Sequence, residues 1–406
     1  MIVLVVNCGS SSLKYELFDS ETEASLASGL ADRVGINGGD EAVLEHQAPG
    51  RAEIEKQQPM PDHEVALDLV LATLTDSECG VISHLDEISA VGHRVVHGGE
   101  RFSESVLIDG EVIATIEQVA ELAPLHNPAN LMGIRACIRR LPGVAQVAVF
   151  DTAFHQTMQP KAFLYGLPYE MYLEHGIRRY GFHGTSHRYV SLVASRRLAE
   201  AGIELPDQKI VTAHLGNGCS MAAVAGGTSI DTTMGLTPLE GLLMGTRCGD
   251  LDPAIVPYLH EKLGLTPKEA DTLLNNKCGL LGVSGVSSDM RDVKAAAAAG
   301  DIRAQAAIEI FCYRVRKYVG SYSAALGGLN AVVFTAGIGE NDPLVRERSL
   351  EGLEYLGIAV DPEKNNDLAN ERDGVDISCS DRPVRVYVIP TDEELMIARD
   401  TAELVS

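Results

Sequence analysis

The sequence has no apolar run long enough to span a membrane. The N-terminal run covers only Ile2 to Val6, and no later stretch approaches the roughly eighteen residues a spanning helix needs. The expectation is a cytoplasmic protein with no membrane partner. Cysteine spacing excludes more. The eight cysteines, at 8, 79, 137, 219, 248, 278, 312 and 379, are nowhere closer than about thirty residues, so no CxxC, zinc ribbon or disulfide scaffold exists. That spacing fits a reducing compartment. Positive charge is also scarce, with 33 basic against 57 acidic residues and a net charge of -24. Nucleic acid is therefore not an expected partner. An anionic substrate would have to be met by cations gathered locally against this field. GxxxxGK[ST], a helix-opening GxGxxG and HExxH are all missing, which argues against a P-loop, a dinucleotide fold and a zinc protease helix.

What remains is an ordinary globular composition, 45% hydrophobic and 22% charged over 406 residues, enough for two or three domains. Strand-like runs occur at Ile2–Val6, Leu13–Phe18, 88–99 and 144–152, with helical periodicity over roughly 62–76, 112–123 and 128–140. Pro128 suits a first helical turn. The pattern restarts near 210 with "KIVTAHLGNGCSMAAVAGG". Gly216 falls under Gly9 and Ser220–Val224 under Leu13–Leu17, a weak internal repeat that two unrelated hairpins could also produce. A third junction, "LNAVVFTAGIGEND", reads as strand Ala331–Thr335 and a glycine turn. "VRVYVIPTDEE" (384–394) reads as a last strand before a C-terminal helix. Strands interleaved with helices indicate an α/β fold.

Three glycine–hydroxyl elbows follow strands: "NCGSSSLK" (7–14), "HLGNGCS" (214–220) and "TAGIGEN" (335–341). Backbone N–H groups and hydroxyls in such turns form anion-binding concavities, and glycine lets a phosphate approach the main chain. One elbow is weak evidence; three, with Lys14 beside the first, point to a nucleotide triphosphate cleft. Arg94 lies inside an apolar strand, where a guanidinium is costly unless an anion or an aspartate pairs with it. Arg247 sits in the glycine-flanked "GLLMGTRCGDLDP". Phe182 and His183 occur in "YGFHGTSH", and Leu125 and His126 in "PLHNP". His183 and His187 have zinc-compatible i, i+4 spacing, but Thr185 and Ser186 read as helix-start caps and no third ligand is evident.

These segments, with "GHRVVHGG", "FDTAFHQTM", "GLLGVSGVSSDMRDV" and "PTDEELMIARD", closely resemble the acetate kinase family, in order, from Ile2 to about Arg399. The resemblance implies a two-domain duplicated ribonuclease H-like fold of the actin, sugar-kinase and Hsp70 ATPase type, with the active site in an interdomain cleft. Its domains would be 1–151 plus 391–406, on the acyl and metal side, and 152–390, on the nucleotide side. The implied reaction is direct in-line transfer between ATP and acetate, giving ADP and acetyl phosphate, with Mg2+ (or Mn2+ in its place), in a homodimer. By the same resemblance Asn7 and Glu393 hold the metal, and Ser10, Ser12 and Lys14 face phosphate. The nucleotide site would comprise His214, Leu215, Gly216, Asn217 and Gly218, with Asp289, Met290 and Arg291, and Gly337, Ile338, Gly339, Glu340 and Asn341. Arg94 would bind the carboxylate, and Val96, Leu125, Phe182 and Pro238 would wall the methyl pocket. Asp151, His183, Arg247, Arg94 and His126 are the implied catalytic set.

A general base is hard to justify, because a carboxyl with a pKa near about 4 is already ionised at pH 7. The expectation is that Asp151 orients magnesium, Arg247 or a phosphate proton. The nearest alternative is a propionate or other short-chain acyl kinase sharing these motifs. A more distant one is a non-catalytic ATPase switch, which would need the elbows but not Arg94, Asp151, His183 and Arg247 together.

Overall fold

The opening apolar run is an interior strand of an eight-stranded sheet in the computed structural model, which describes residues 1–124, 126–368 and 373–406. The chain divides into two units, Met1–Gln156 with Asp392–Ser406, and Thr157–Thr391. The first contains β1 (Ile2–Cys8), β2 (Ser12–Asp19), β3 (Ala24–Asp32), β4 (Val43–Gln47), β5 (Ile54–Gln57), β6 (Ile88–Val95), β7 (Val106–Leu107) and β8 (Ala145–Phe150). Their order across the sheet is β5-β4-β3-β2-β1-β6-β8-β7. Val3, Leu4, Val5 and Val6 are at most 1% exposed, as a strand covered on both faces requires.

Helices supply those covers. His63–Leu74 starts at Asp62, whose carboxylate accepts the Glu64 and Val65 N–H groups at 2.9 Å. It packs with the helix Asn127–Arg140, which has Pro128 in its first turn. The C-terminal helix Glu393–Val405 takes the opposite face. Val91 and Gly92 are consecutive in β6 and point to opposite sides. Val91 joins a core with Ala136 and Cys137, whereas a Cβ on Gly92 would lie 2.4 Å from Thr401 Oγ1 and 2.6 Å from the Ile397 side chain. Only glycine allows the helix that close.

The second unit contains β9 (Lys209–Leu215), β10 (Cys219–Ala225), β11 (Thr228–Thr232), β12 (Ala331–Thr335), β13 (Val375–Asp376) and β14 (Arg385–Val388), in the order β11-β10-β9-β12-β14-β13. Its helices Gly184–Glu200 and Ile302–Leu326 pack on β9 and β10. The two sheets share one plan: β3-β2-β1-β6-β8 and β11-β10-β9-β12-β14 are each an antiparallel meander continued by two parallel strands. The fold is thus a duplicated α/β core, and the internal repeat is a repeat of topology. Its alignment needs one correction. Cys8 pairs with Leu13, but Leu215 pairs with Cys219, so the second turn is one residue shorter and Leu13–Leu17 corresponds to Cys219–Ala223.

Three further features differ from the sequence reading. Strands β3, β4 and β5 carry polar or small residues at alternate positions and give no sustained apolar run, so no strand was expected there. The glycine turn after β12 is a short helix, Ala336–Asn341, entered through Ala336 at φ 65. Glu340 Oε1 accepts the Ala336 N–H at 2.7 Å and so holds this left-handed entry. The last strand is only Arg385–Val388. Among the described residues no helix is long and apolar enough to cross a membrane.

Arg346 anchors the far end of the short helix. It is 1% exposed and donates to the Gly339 and Glu340 carbonyls at 2.9 Å, and to Asn365 Oδ1 and carbonyl at 2.7 Å. Burial lowers its pKa to about 10. Arg346→Met should lower the free energy of unfolding by about 3 kcal/mol, because it strands buried carbonyls. Denaturant titration checks this, and a change under about 1 kcal/mol would contradict the anchoring role.

Candidate active site

Arg94 and Arg247 stand in opposite electrostatic settings. Arg94 lies near the end of β6, beside β8, and its guanidinium meets Asp151 in a two-point pair. Nε to Oδ1 is 3.1 Å and Nη2 to Oδ2 is 2.6 Å, with Asp151 only 1% exposed. Backbone pairing sets this geometry, because the Asp151 N–H donates to the Val95 carbonyl at 3.0 Å and so extends the β6–β8 ladder by one rung. Glu393 Oε2 lies 3.9 Å from Arg94 Nε, at the first turn of the C-terminal helix. Burial raises the Glu393 carboxyl above its ordinary range; Arg94 opposes this, and the charges of Asp151 and Glu394 add to it.

Lys14 lies opposite Asn7 in the β1–β2 hairpin, and its Nζ contacts Glu394 Oε1 at 2.6 Å. Asn7, Lys14, Arg94, Asp151 and Glu393 therefore gather at one edge of this unit. Ser10 is exposed at the turn and Ser12 half-buried. The Gly9 carbonyl accepts from His63 Nε2 at 2.7 Å, and its N–H donates to the Ser12 carbonyl at 2.9 Å. Val96 is 5% exposed, and His126 is the N-cap residue of Asn127–Arg140. Leu125 lies outside the described residues.

In the second unit, Arg247 is half-buried and pairs with no carboxylate among the described residues. Its Nη1 donates to the Pro238 carbonyl at 2.9 Å, and burial lowers its pKa. A Cβ on Gly218 would lie 3.5 Å from His183 Nε2 and 3.7 Å from Arg247 Nη1, so elbow, imidazole and guanidinium converge. The elbow packs tightly on the arginine loop: a Cβ on Gly245 would fall 1.9 Å from Asn217 Oδ1, and the Gly245 N–H donates to the Asn217 carbonyl at 2.9 Å. Phe182 is 2% exposed and precedes His183, the helix N-cap residue at φ 56.

A run of side-chain hydrogen bonds fixes the histidines. His183 Nδ1 bonds Ser220 Oγ at 2.8 Å, the same hydroxyl bonds His187 Nε2 at 2.7 Å, and His187 Nδ1 bonds Thr212 Oγ1 at 2.7 Å. His214 stacks on His183 with centroids 4.1 Å apart, and its Nδ1 bonds Ser186 Oγ at 2.8 Å. Thr185 and Ser186 lie inside the helix rather than capping it. Leu215 is buried at the end of β9.

Other expected nucleotide residues serve the backbone. Asp289 caps Met290–Ala298 and grips the exposed Arg291 guanidinium, which holds its carboxyl down at about 2. Met290 is buried beside it. Within Gly337, Ile338, Gly339, Glu340 and Asn341, the Glu340 carboxylate accepts the Ala336 and Thr391 N–H groups, and Asn341 Nδ2 donates to the Gly337 carbonyl. Asp151 engages Arg94 through both of its carboxylate oxygens. Sequence reasoning also missed Ser220, His187, Asn127 and Asn130 as organising groups, although all four lie inside the motifs "HLGNGCS", "FHGTSH" and "HNPAN".

Ser220→Ala removes the hydroxyl that both rings share. Imidazole nitrogen resonances of His183 and His187 should then shift together, with a stability loss of about 1–3 kcal/mol. A shift confined to one ring would contradict the shared bond.

The comparisons with known proteins are consistent across sequence and structure. The Acetokinase family profile matches residues 2–399. An acetate kinase from Halothermothrix orenii is 56% identical over 405 residues, covering 100% of both chains. One from Methanosarcina acetivorans is 56% identical over 404 residues, covering 100% of this chain and 97% of that protein. Among solved structures, Porphyromonas gingivalis acetate kinase superposes with a TM-score of 0.93 at 46% identity over 100% of both chains. A Francisella tularensis propionate kinase gives 0.90 at 43% identity, covering 99% of each. The chain belongs to the acetokinase family.

Proposed function

We propose that the protein is an acetate kinase, transferring the γ-phosphoryl group of ATP to acetate in a reversible reaction that yields acetyl phosphate and ADP. The observation that carries the reading is the pair of contrasting guanidiniums: Arg94 fixed by Asp151, and Arg247, with no carboxylate partner among the described residues, beside His183 and the Gly216–Gly218 elbow.

Arg94 gives Nε–H and one Nη2–H to Asp151, which leaves its remaining N–H groups for the acetate carboxylate in a fixed plane. Acetate arrives ionised, so no proton has to leave it. Asp151 has both oxygens engaged by Arg94, which suits an orienting role. Val96, Phe182 and Pro238 are assigned to the methyl group. Arg247 and the imidazole of His183 donate to the equatorial oxygens of the phosphoryl group in flight, where charge neutralisation and alignment carry the catalysis.

Asn7 and Glu393 offer one amide and one carboxylate oxygen, a hard donor set suited to Mg2+ supplemented by water and phosphate oxygens. The three carboxylates Asp151, Glu393 and Glu394 exceed the two cations Arg94 and Lys14 at that edge, and the charges of Asp151 and Glu394 add to the rise that burial causes in Glu393. Bound there, Mg2+ would neutralise phosphate charge. Lys14, with its amine on Glu394, fits the phosphates only by exchanging that partner.

The test is acyl phosphate capture with hydroxylamine, using acetate, propionate and butyrate. Acetate should lead propionate in kcat/KM by about tenfold, the worth of one methylene. A preference for propionate would make this a propionate kinase, and no hydroxamate from any acid would remove the reading.

A further inference from the structure

Strands β1 and β6 run side by side in parallel register from Ile2 to Val6, the last pair being Val6 with His93. Beyond that rung β6 stays with β8, through Arg94 to Val149 and Val95 to Phe150, while β1 leaves it. Continued in register, the ladder would next join the Cys8 carbonyl to the Val96 N–H. Instead a side chain occupies that gap. Asn130 Oδ1 accepts the Val96 N–H at 3.1 Å, and Asn130 Nδ2 donates to the Cys8 carbonyl at 2.9 Å. The residue is 3% exposed and comes from the helix Asn127–Arg140. Three residues earlier on the same helix, Asn127 clasps the next peptide, accepting the His97 N–H at 3.1 Å and donating to the His97 carbonyl at 2.9 Å.

The side-chain amide satisfies both main-chain groups, as burial demands. It also keeps the strand ends apart by the width of that amide. The splayed ends are where β1 delivers Asn7 and the Gly9 turn, and where β6 delivers Arg94 and Val96. In sheets of this kind, ligands bind beyond the carboxyl ends of strands, where neighbouring connections diverge.

We infer that Asn130 is a positioning residue: its amide, wedged between the Cys8 carbonyl and the Val96 N–H, sets where Val96 and Arg94 stand and thereby the fit of the acyl substrate. The inference rests on the acyl kinase reading. Two substitutions move the wedge in opposite senses. Asn130→Ala removes it and lets the Cys8 carbonyl approach the Val96 N–H directly. Asn130→Asp keeps an acceptor for Val96 but turns a second oxygen toward the Cys8 carbonyl, and repulsion spreads the ends.

The experiment measures hydroxamate kinetics with acetate and propionate for both variants, alongside thermal unfolding. Acetate KM should rise about tenfold in each, while KM for the nucleotide stays within about twofold. The propionate-to-acetate selectivity should move in opposite directions in the two proteins. Asn130→Gln, with the amide on a longer stem, should share the direction of Asn130→Asp and replaces it if that variant does not fold; Asn130→Ser, too short to bridge both groups, replaces Asn130→Ala. Lower thermal midpoints with unchanged acetate KM and unchanged selectivity would overturn the inference, as would shifts of the same sign. A wild-type protein that forms no hydroxamate would instead remove the reading beneath it.

Discussion

The buried pair between Arg94 and Asp151 is the constraint around which one edge of the first unit is built. A guanidinium inside a hydrophobic sheet needs a counter-charge, and the parallel pairing of β6 with β8 delivers one a single residue past the end of β8. Two-point contact then fixes the plane of the cation. Everything placed around it adapts. The C-terminal helix crosses β6 at Gly92 and brings Glu393 within 3.9 Å of the same guanidinium. Asn130 holds the neighbouring strand end away from it. The pair is electrically complete, so its value to function lies in direction and not in net charge.

The second unit solves a different problem with the same topology. Its elbow after β9 is one residue tighter than the elbow after β1, and Gly245 lets the Arg247 loop close on it. Arg247 has no carboxylate partner among the described residues, and burial lowers its pKa. His183 is held from behind by Ser220, His187 and Thr212, so the ring is presented without freedom to turn. A chain of net charge -24 thus still gathers local cations, Arg94 and Lys14 in one unit and Arg247 in the other.

Much of this was legible in the sequence because the chemistry-bearing residues sit at strand ends in short, glycine-marked motifs. β1, β6, β8, β9 and β12 announce themselves as apolar runs, Arg94 stands out as a costly charge in such a run, and Asp151 was found only through the family resemblance. Strands β3 to β5 were not legible, since alternating polar residues on an outer meander mimic a loop. Partners were also hidden. Nothing in the order of residues tells that Asp151 meets Arg94, because the pairing depends on which strands become neighbours. The local hydrogen bonds of Glu340 and Asp289, which hold the Ala336 entry and the start of the Met290 helix, were equally invisible in the sequence. Asn130 was invisible as a wedge, because its role exists only where two strands part.

The most direct measurement is the pH dependence of kcat/KM for Asp151→Asn against wild type. If Asp151 orients Arg94, activity should fall on the order of a hundredfold by a factor that stays constant across pH, with both profiles keeping the same shape. A loss that follows one titrating carboxylate, with the acidic limb present in wild type and absent from the variant, would show that Asp151 acts as a base and contradict the account.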